Sequence, residues 1–460
     1  MKFNPYAYQK EAIRLMIKQP EAGLLCWPGA GKTSCTYAAF KLLKAKNIVR
    51  RALVIAPLKP CYLVWPQEAA KWDEFRDLKI NVLHGAGKTL RDQTSDFDVI
   101  NPEGLDWLIR QPLKRWPWDM LVIDESSKFK SPRTQRFKTL KSILGKFKRR
   151  YILTGTPAPN GLLDLWSQIY VLDGGDALGK YISHYRMRYF IPGGYGGYEW
   201  ILRDDAAPEI YEKIRPLVLR PDDTEYRKSL PPLVQVDMKI DLPKKARQAY
   251  NSLEDDLVLS LSKGDVTAVN AAVATMKLRQ IANGAVYADE ERREPRTDRK
   301  VLDIHDAKIE AVKDLVAELE GQPAFIAYEF QHELTRLKKA LGNPPYLAGG
   351  VKPKDAIEIA ERWNAGDLPV LLVQPQSVAH GLNLQGAGRA IIWYGLTWNL
   401  EDYTQLIQRI WRQGKVGQLF NYRLIAKGTV DEDVVAALAK KDRVQGALLD
   451  ALKSRAAKRR

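Results

Sequence analysis

The chain has 460 residues, too many for one ordinary core, so two or three domains of ~100 to 200 residues are expected. Hydrophobic residues make up 45% and charged residues 28%, a balance that excludes a fibrous or largely disordered chain. Lysine and arginine number 72 against 55 aspartates and glutamates, and the resulting charge of +17 points to a polyanionic partner. Cys26, Cys35 and Cys61 lack paired CxxC spacing, so no zinc module or disulfide framework is expected and a reducing, cytoplasmic setting fits. The opening MKFNPYAYQK has no apolar stretch of the signal-peptide kind, and no run of ~18 apolar residues follows, so no membrane span is expected.

In chain order, the first third alternates short apolar runs with amphipathic stretches: AGLLCW, ALVIAP, FDVIN, MLVIDE and YILTGTP. Each run ends in glycine, proline or an acid, the rhythm of βα units around a parallel sheet, and places an α/β domain at residues 1–161. Between 162 and 300 charged and aromatic helical stretches dominate, with a glycine-rich turn in IPGGYGGYEW, so this segment reads as a helical insertion and linker. The βα rhythm returns in PAFIAYEF, LPVLLVQP, RAIIWYG and LFNYRLIAKG, giving a second α/β domain at 301–440. Residues 441–460 close the chain as a basic tail, ending in ALKSRAAKRR.

Directly after the first run, WPGAGKTSC sets Pro28, Gly29, Ala30, Gly31, Lys32, Thr33 and Ser34 at the entry to a helix. Residues without a Cβ let backbone N–H groups close around phosphate oxygens, and the helix N-terminus adds partial positive charge. Lys32 is placed to reach the β- and γ-phosphates of a nucleotide and Thr33 to ligate Mg²⁺. The strict GxxxxGK[ST] pattern fails at its first glycine, where Cys26 stands. Asp124 and Glu125 end the strand MLVID, so a parallel sheet delivers them to its carboxyl edge, beside the cradle. Asp124 suits Mg²⁺ and Glu125 suits orienting and deprotonating an attacking water. Gln9 offers an amide to the adenine edge. In LTGTPAPN, Thr154 and Thr156 flank Gly155 and suit sensing of the γ-phosphate.

The ordered set YQ, GAGKT, IAP, DESS, LTGTPAPN, GLNLQGAG and QLIQRIWRQGK resembles the superfamily-two helicases, and within them the Swi/Snf-type ATPases that translocate on double-stranded DNA. The resemblance covers nearly the whole chain, and the compact size resembles phage-encoded members. It implies two RecA-like domains that share one ATP, with arginines from the second. Those fall on Arg409 and Arg412, three apart and expected on one helix face, with Arg412 as the finger. It also implies nucleotide contacts at Gly381 and Gln405. The chain departs from the family at Ser127, where a DEAH-box histidine is usual. It departs again at Tyr6 near the adenine, at Gln408, and along Pro375 to His380.

The stretch 128–150 carries ten basic residues and no acid, next to the hydrolytic pair. Backbone contacts carry no base code, which suits a protein that steps along DNA. Lys128, Lys130, Arg133 and Arg136 from this stretch, with Lys59, Asn101, His380 and Asn383, are the candidate nucleic-acid contacts. The expectation is a monomeric, ATP- and Mg²⁺-dependent motor on duplex DNA. A strand-separating helicase with IPGGYGGYEW as its wedge, and an ATP-gated clamp or adaptor that does not move, are the alternatives.

Overall fold

The computed structural model describes residues 1–440 apart from 86–89, 91–93, 114, 156–157, 159–160, 194–198, 222–227, 229, 263–267, 289–299, 379–381, 383, 413–414 and 416. The chain forms two compact units, one built on residues 1–227 and the other on the residues that follow. The stretch 162–300, expected as an insertion between the domains, is divided between the two. Its helices at Leu165–Asp173, Ile182–Tyr189 and Ala206–Ile214 pack into the first core, and the strand at Leu233–Ile240 joins the second sheet. The 441–460 tail lies outside the described residues.

The first unit is a seven-stranded sheet in the order β3-β4-β2-β5-β6-β1-β9, parallel throughout. Its strands are β1 (Glu21–Leu25), β2 (Ala52–Ile55), β3 (Ile80–Val82), β4 (Phe97–Ile100), β5 (Met120–Asp124), β6 (Arg149–Thr154) and β9 (Val218–Leu219). The antiparallel hairpin β7 (Phe190–Gly193) and β8 (Glu199–Leu202) stands apart from the sheet, and its tip lies outside the described residues. Successive residues of each central strand face opposite sides. Leu53, Ile55, Leu121, Ile123 and Ile152 pack under the helices Gln135–Ile143 and Leu165–Asp173. Ala52, Val54, Met120, Val122, Tyr151 and Leu153 pack under α1 (Ala7–Lys18), α2 (Lys32–Ala45) and α3 (Leu58–Lys71). A sheet covered on both faces needs apolar residues at both parities, so these strands read as unbroken apolar runs.

Among the described residues of the sheet, Asp98 in β4 is a fully buried charge. It takes Arg51 at 2.6 Å, Trp118 Nε1 at 2.7 Å, Asn81 Nδ2 at 2.8 Å and the Ser95 hydroxyl at 3.1 Å. Four donors around one carboxylate meet the condition under which a buried charge is tolerated.

The second unit has a six-stranded parallel sheet in the order β10-β17-β16-β13-β15-β14. Its strands are β10 (Leu233–Ile240), β13 (Ala324–Ala327), β14 (Tyr346–Leu347), β15 (Val370–Val373), β16 (Ala390–Trp393) and β17 (Leu419–Ala426); a small antiparallel pair, β11 (Ala285–Tyr287) and β12 (Val301–Asp303), lies beside it. Both units are thus α/β with parallel sheets, as expected. Strands β3, β9, β10 and β14 were not expected: three are two or three residues long, and β10 alternates exposed and half-buried residues at a sheet edge. No helix among the described residues is long and apolar enough to cross a membrane.

Lys308 ties the second unit together. Wholly buried in the helix Ala307–Glu318, it donates to Asn283 Oδ1 at 2.6 Å, Asp431 Oδ2 at 2.7 Å and the Tyr394 carbonyl at 3.2 Å. Asn283 in turn donates to Glu333 at 2.6 Å. Removing one member of such a pair strands the other charge, so Lys308→Met should lower the stability of this unit by about 3 to 5 kcal/mol. Urea unfolding followed by tryptophan fluorescence checks this: a midpoint equal to that of the parent chain contradicts it, and adding Asp431→Leu should restore part of the loss.

Candidate nucleotide-binding site

In the first sheet β6 lies between β1 and β5, with Leu25 opposite Thr154 and Leu153 opposite Asp124. Strands spaced ~4.8 Å apart put the ends of β1 and β5 about 10 Å from each other at one carboxyl edge. Three candidate segments therefore leave the sheet side by side: the glycine loop after β1, the acidic pair after β5, and Gly155 after β6.

The loop from Cys26 to Gly31 turns sharply. Gly29 and Gly31 have φ of 81° and 74°, left-handed values that glycine adopts without strain. A Cβ on Gly31 would lie 2.4 Å from Gln9 Nε2, and one on Gly155 would lie 2.8 Å from Pro28 Cδ. Both glycines thus permit close approach: the loop is packed between α1 and the end of β6. Gly31 caps α2, whose first N–H groups have no intrahelical partner and face the loop. Lys32 folds back over this loop, donating to the Cys26 carbonyl at 2.9 Å and the Trp27 carbonyl at 3.2 Å. An ammonium held by two carbonyls is poised to exchange them for phosphate oxygens. Ala30 is buried in the loop. The half-buried Thr33 hydroxyl makes no hydrogen bond with the described residues. Burial in an apolar setting pushes the Cys26 thiol up to about 11, so it stays a neutral packing group where the strict pattern has glycine.

Gln9 is 7% exposed and braces the loop. Its Nε2 donates to the Ala30 carbonyl at 2.9 Å, and its Oε1 accepts from the Tyr6 N–H at 2.9 Å. Ser34 is buried, and its hydroxyl donates to Glu68 at 2.6 Å, so the Ser34 side chain faces α3 rather than the loop. Glu68 also accepts from Trp72 Nε1 at 2.8 Å.

At the end of β5 the Asp124 carboxylate accepts from Trp65 Nε1 at 3.1 Å. Trp65 is fully buried in α3, and its bond to Asp124 is a contact that sequence reasoning missed; nothing in CYLVWPQEAAKW separates it from a core tryptophan. Glu125 follows with φ 54° and ψ 60°. Left-handed backbone at a residue with a side chain costs ~1 to 3 kcal/mol and survives only where neighbours enforce it. Enforcement comes from the next residue: the buried Ser126 hydroxyl donates to Gln168 Oε1 at 2.6 Å, and Gln168 Nε2 donates to the Asp164 carbonyl at 2.9 Å. Ser127, in the place of the usual histidine, is buried as well. Thr154 is buried at the end of β6, and Thr156 lies outside the described residues.

In the second unit, Gln405 is buried in the helix Leu400–Ile410, with Nε2 on Glu401 at 3.2 Å. Arg409 lies in the last turn of that helix. Trp411 ends it with ψ 88°, so Arg412 stands beyond the helix and the two arginines do not share one helix face as expected. The bend is held by Trp411 Nε1 on the Pro231 carbonyl at 2.8 Å, and Arg412 Nε donates to the Gln408 carbonyl at 2.7 Å. Gly381, His380 and Asn383 lie outside the described residues.

The stretch 128–150 divides by role. Arg149 donates to the Met16 and Gln19 carbonyls, Arg150 pairs with Glu21, Lys148 with Asp119, and Lys130 lies 4.0 Å from Asp164. Lys141 and Lys146 lie over the rings of Tyr170 and Trp116, each 4.6 Å from the centroid. Lys128, Arg133, Arg136 and Lys138 remain exposed with no acidic partner among the described residues. Asn101, at the end of β4, is half-buried and donates to Glu103 at 2.7 Å. Lys59 opens α3, and its side chain is outside the described residues.

Two parallel α/β sheets, the first carrying a glycine-turned lysine loop beside an Asp-Glu pair, are the fold and motif set of a helicase-type ATPase. The chain belongs to the SNF2-related family: residues 8–286 match the SNF2-related domain, and residues 307–414 match the helicase conserved C-terminal domain. Protein p41 of Acyrthosiphon pisum secondary endosymbiont phage 1 is 33% identical, across 98% of this chain and 99% of its own length. The ISWI chromatin-remodeling complex ATPase ISW2 of Saccharomyces cerevisiae is 24% identical over 95% of this chain, which spans 40% of that relative's length. The solved Sulfolobus solfataricus SWI2/SNF2 ATPase core in complex with dsDNA is 24% identical, aligned over 96% of this chain and 92% of that one with a TM-score of 0.46. Family membership makes the protein an ATPase that uses ATP.

If the Trp65 indole N–H aims the Asp124 carboxylate, Trp65→Phe should keep the melting temperature within a few degrees while ATP turnover falls by roughly tenfold or more, the penalty of a slightly misplaced group. Turnover equal to the parent's would leave Trp65 as packing alone.

Proposed function

We propose that the protein is a Mg²⁺-dependent, nucleic-acid-stimulated motor that translocates on double-stranded DNA. The observation that carries the reading is the shared carboxyl edge of β1, β6 and β5, where the Lys32 loop and the Asp124-Glu125 pair leave strands on either side of β6. Lys32 and the N–H groups from Gly29 to Ser34 cradle the triphosphate, and Thr33 with Asp124 holds the metal. These are hard oxygen donors of the kind Mg²⁺ takes. Mg²⁺ would neutralise charge developing on the phosphates.

Glu125 orients and deprotonates the attacking water, its position set by the left-handed turn. Gln9 braces the cradle and stands by the adenine edge. Thr154, Gly155 and Thr156 sense the γ-phosphate, and Arg409, Arg412, Gly381 and Gln405 act on the nucleotide from the second domain, with Arg412 as the finger. Lys128, Arg133 and Arg136, exposed a few residues after the acids, hold the phosphate backbone of the track, together with Lys59, Asn101, His380 and Asn383. Lys130 joins them after giving up its long contact to Asp164. Contacts of this kind are blind to base sequence, which suits a stepping protein. Duplex DNA is favoured over a single strand because the exposed cations of 128–138 are not interleaved with exposed aromatic rings for base stacking; Phe129 and Phe137 are buried.

Lys32→Ala and Glu125→Gln should each lower ATP hydrolysis by at least ~10³-fold while duplex DNA binding stays within about threefold of the parent. Steady-state hydrolysis with no nucleic acid, single-stranded DNA, duplex DNA or duplex RNA, at two salt concentrations, tests the partner. Stimulation by duplex DNA with ATP-driven displacement of a triplex third strand is the expected result. Preferential stimulation by single strands or RNA shifts the reading to an unwinding helicase, and duplex binding without triplex displacement makes the protein a clamp.

A further inference from the structure

We propose that Arg186 and Arg133, backed by the ring of Trp200, form an anion site on the first unit that takes a phosphodiester of a nucleic-acid backbone. The inference rests on the nucleic-acid reading above and adds a site contributed by the segment beyond the ATPase motifs.

Arg186 lies half-buried in the helix Ile182–Tyr189, and its guanidinium carbon is 5.6 Å from the Trp200 ring centroid in β8. Its Nε is shut off from solvent and makes no hydrogen bond among the described residues. Buried donors are almost always paired, so an arginine N–H left without an acceptor marks a place where a ligand can supply one. Acids tied to this helix are engaged elsewhere: Glu209 with Arg188 at 2.5 Å, and Asp205 with Arg203 at 2.9 Å, an arginine that also donates to the Arg188 carbonyl. A charge that does act on Arg186 is another cation. Burial first, and then the Arg133 charge, lower the Arg186 guanidinium from its ordinary value. A half-buried guanidinium with an orphaned N–H and a second cation acting on it is favoured by a bound anion, and stacking on an indole holds it in place for one.

Phosphate fits this pair because its oxygens accept from the planar fork of arginine two at a time. A backbone phosphodiester fits better than a free phosphate for a reason of sequence. Arg133 belongs to the exposed row Lys128, Arg133, Arg136 and Lys138, none with an acidic partner among the described residues, and a run of cations matches a repeating polyanion. Arg133 also links the site to catalysis, since it follows the strained Glu125 by eight residues on the segment anchored through Ser126 and Gln168.

The test is duplex DNA binding by the full chain, read by fluorescence anisotropy of a labelled duplex at ~50 to 200 mM salt. The parent, Arg186→Ala and Arg133→Ala are compared, with melting temperatures measured in parallel. Each lost phosphate contact should reduce the slope of log Kd against log salt by about 0.9. Arg133 is exposed, so its replacement reads the site even if Arg186→Ala does not fold. A parent-like slope in Arg186→Ala, with or without a lower melting temperature, overturns the site and leaves the nucleic-acid reading intact, whereas a parent-like slope in Arg133→Ala overturns the site and also removes Arg133 from the track. A parent chain that binds no duplex at any salt overturns that reading, and the inference with it.

Discussion

The constraint on which the rest of the first unit depends is the parallel arrangement of its sheet. Parallel neighbours cannot be joined by tight hairpins, so every connection crosses a face of the sheet and returns, and the loops that follow the strands collect at one edge. Because β6 separates β1 from β5, the glycine loop and the acidic pair emerge close enough to act on a single nucleotide, although about a hundred residues separate them in the chain. Chemistry is local there because topology is not.

What holds those loops in shape is mostly polar bonding to buried partners. α3 reaches the site twice: Trp65 takes Asp124, and Glu68 takes Ser34 from the helix that follows the cradle. Gln9 fastens the cradle from the other side. The left-handed Glu125 is the strained point of the arrangement, and the Ser126–Gln168 bond pins the turn beside it. Gln168 belongs to the helix after β6, so the acidic turn and the segment following Gly155 share one support. A shift in either is felt by the other, which is a physical route for coupling hydrolysis to the rest of the unit.

The second unit rests on a different device. Lys308, Asn283, Asp431 and Glu333 form one buried polar network reaching helices and strands far apart in sequence. Such a network adds little net stability over an apolar core, but it penalises any packing that leaves one of its charges unmatched. It does so close to the chain that leaves β17, whose register with β10 brings residues some 186 positions apart into pairing.

Local pattern was enough to determine the α/β class of both halves, the long central strands, the cradle and the acidic pair, because each depends on a few consecutive residues with a characteristic spacing. The short strands β3, β9 and β14 and the half-exposed edge strand β10 carry too few periodic positions to stand out, and the split of 162–300 between two cores depends on long-range packing that no local pattern records. The same holds within the site. Trp65 looks like any core tryptophan, Arg412 falls beyond a helix end set by a bond from Trp411 to Pro231, and six cations of the 128–150 stretch are occupied by distant carboxylates, carbonyls or rings. By itself, then, the sequence determined which chemistry the chain carries and on which strands, since backbone geometry and residue type suffice for that. Only the tertiary structure decided which side chains are aimed, which charges are left exposed and that the Arg186 Nε has no acceptor among the described residues, because those outcomes depend on partners brought together from distant parts of the chain.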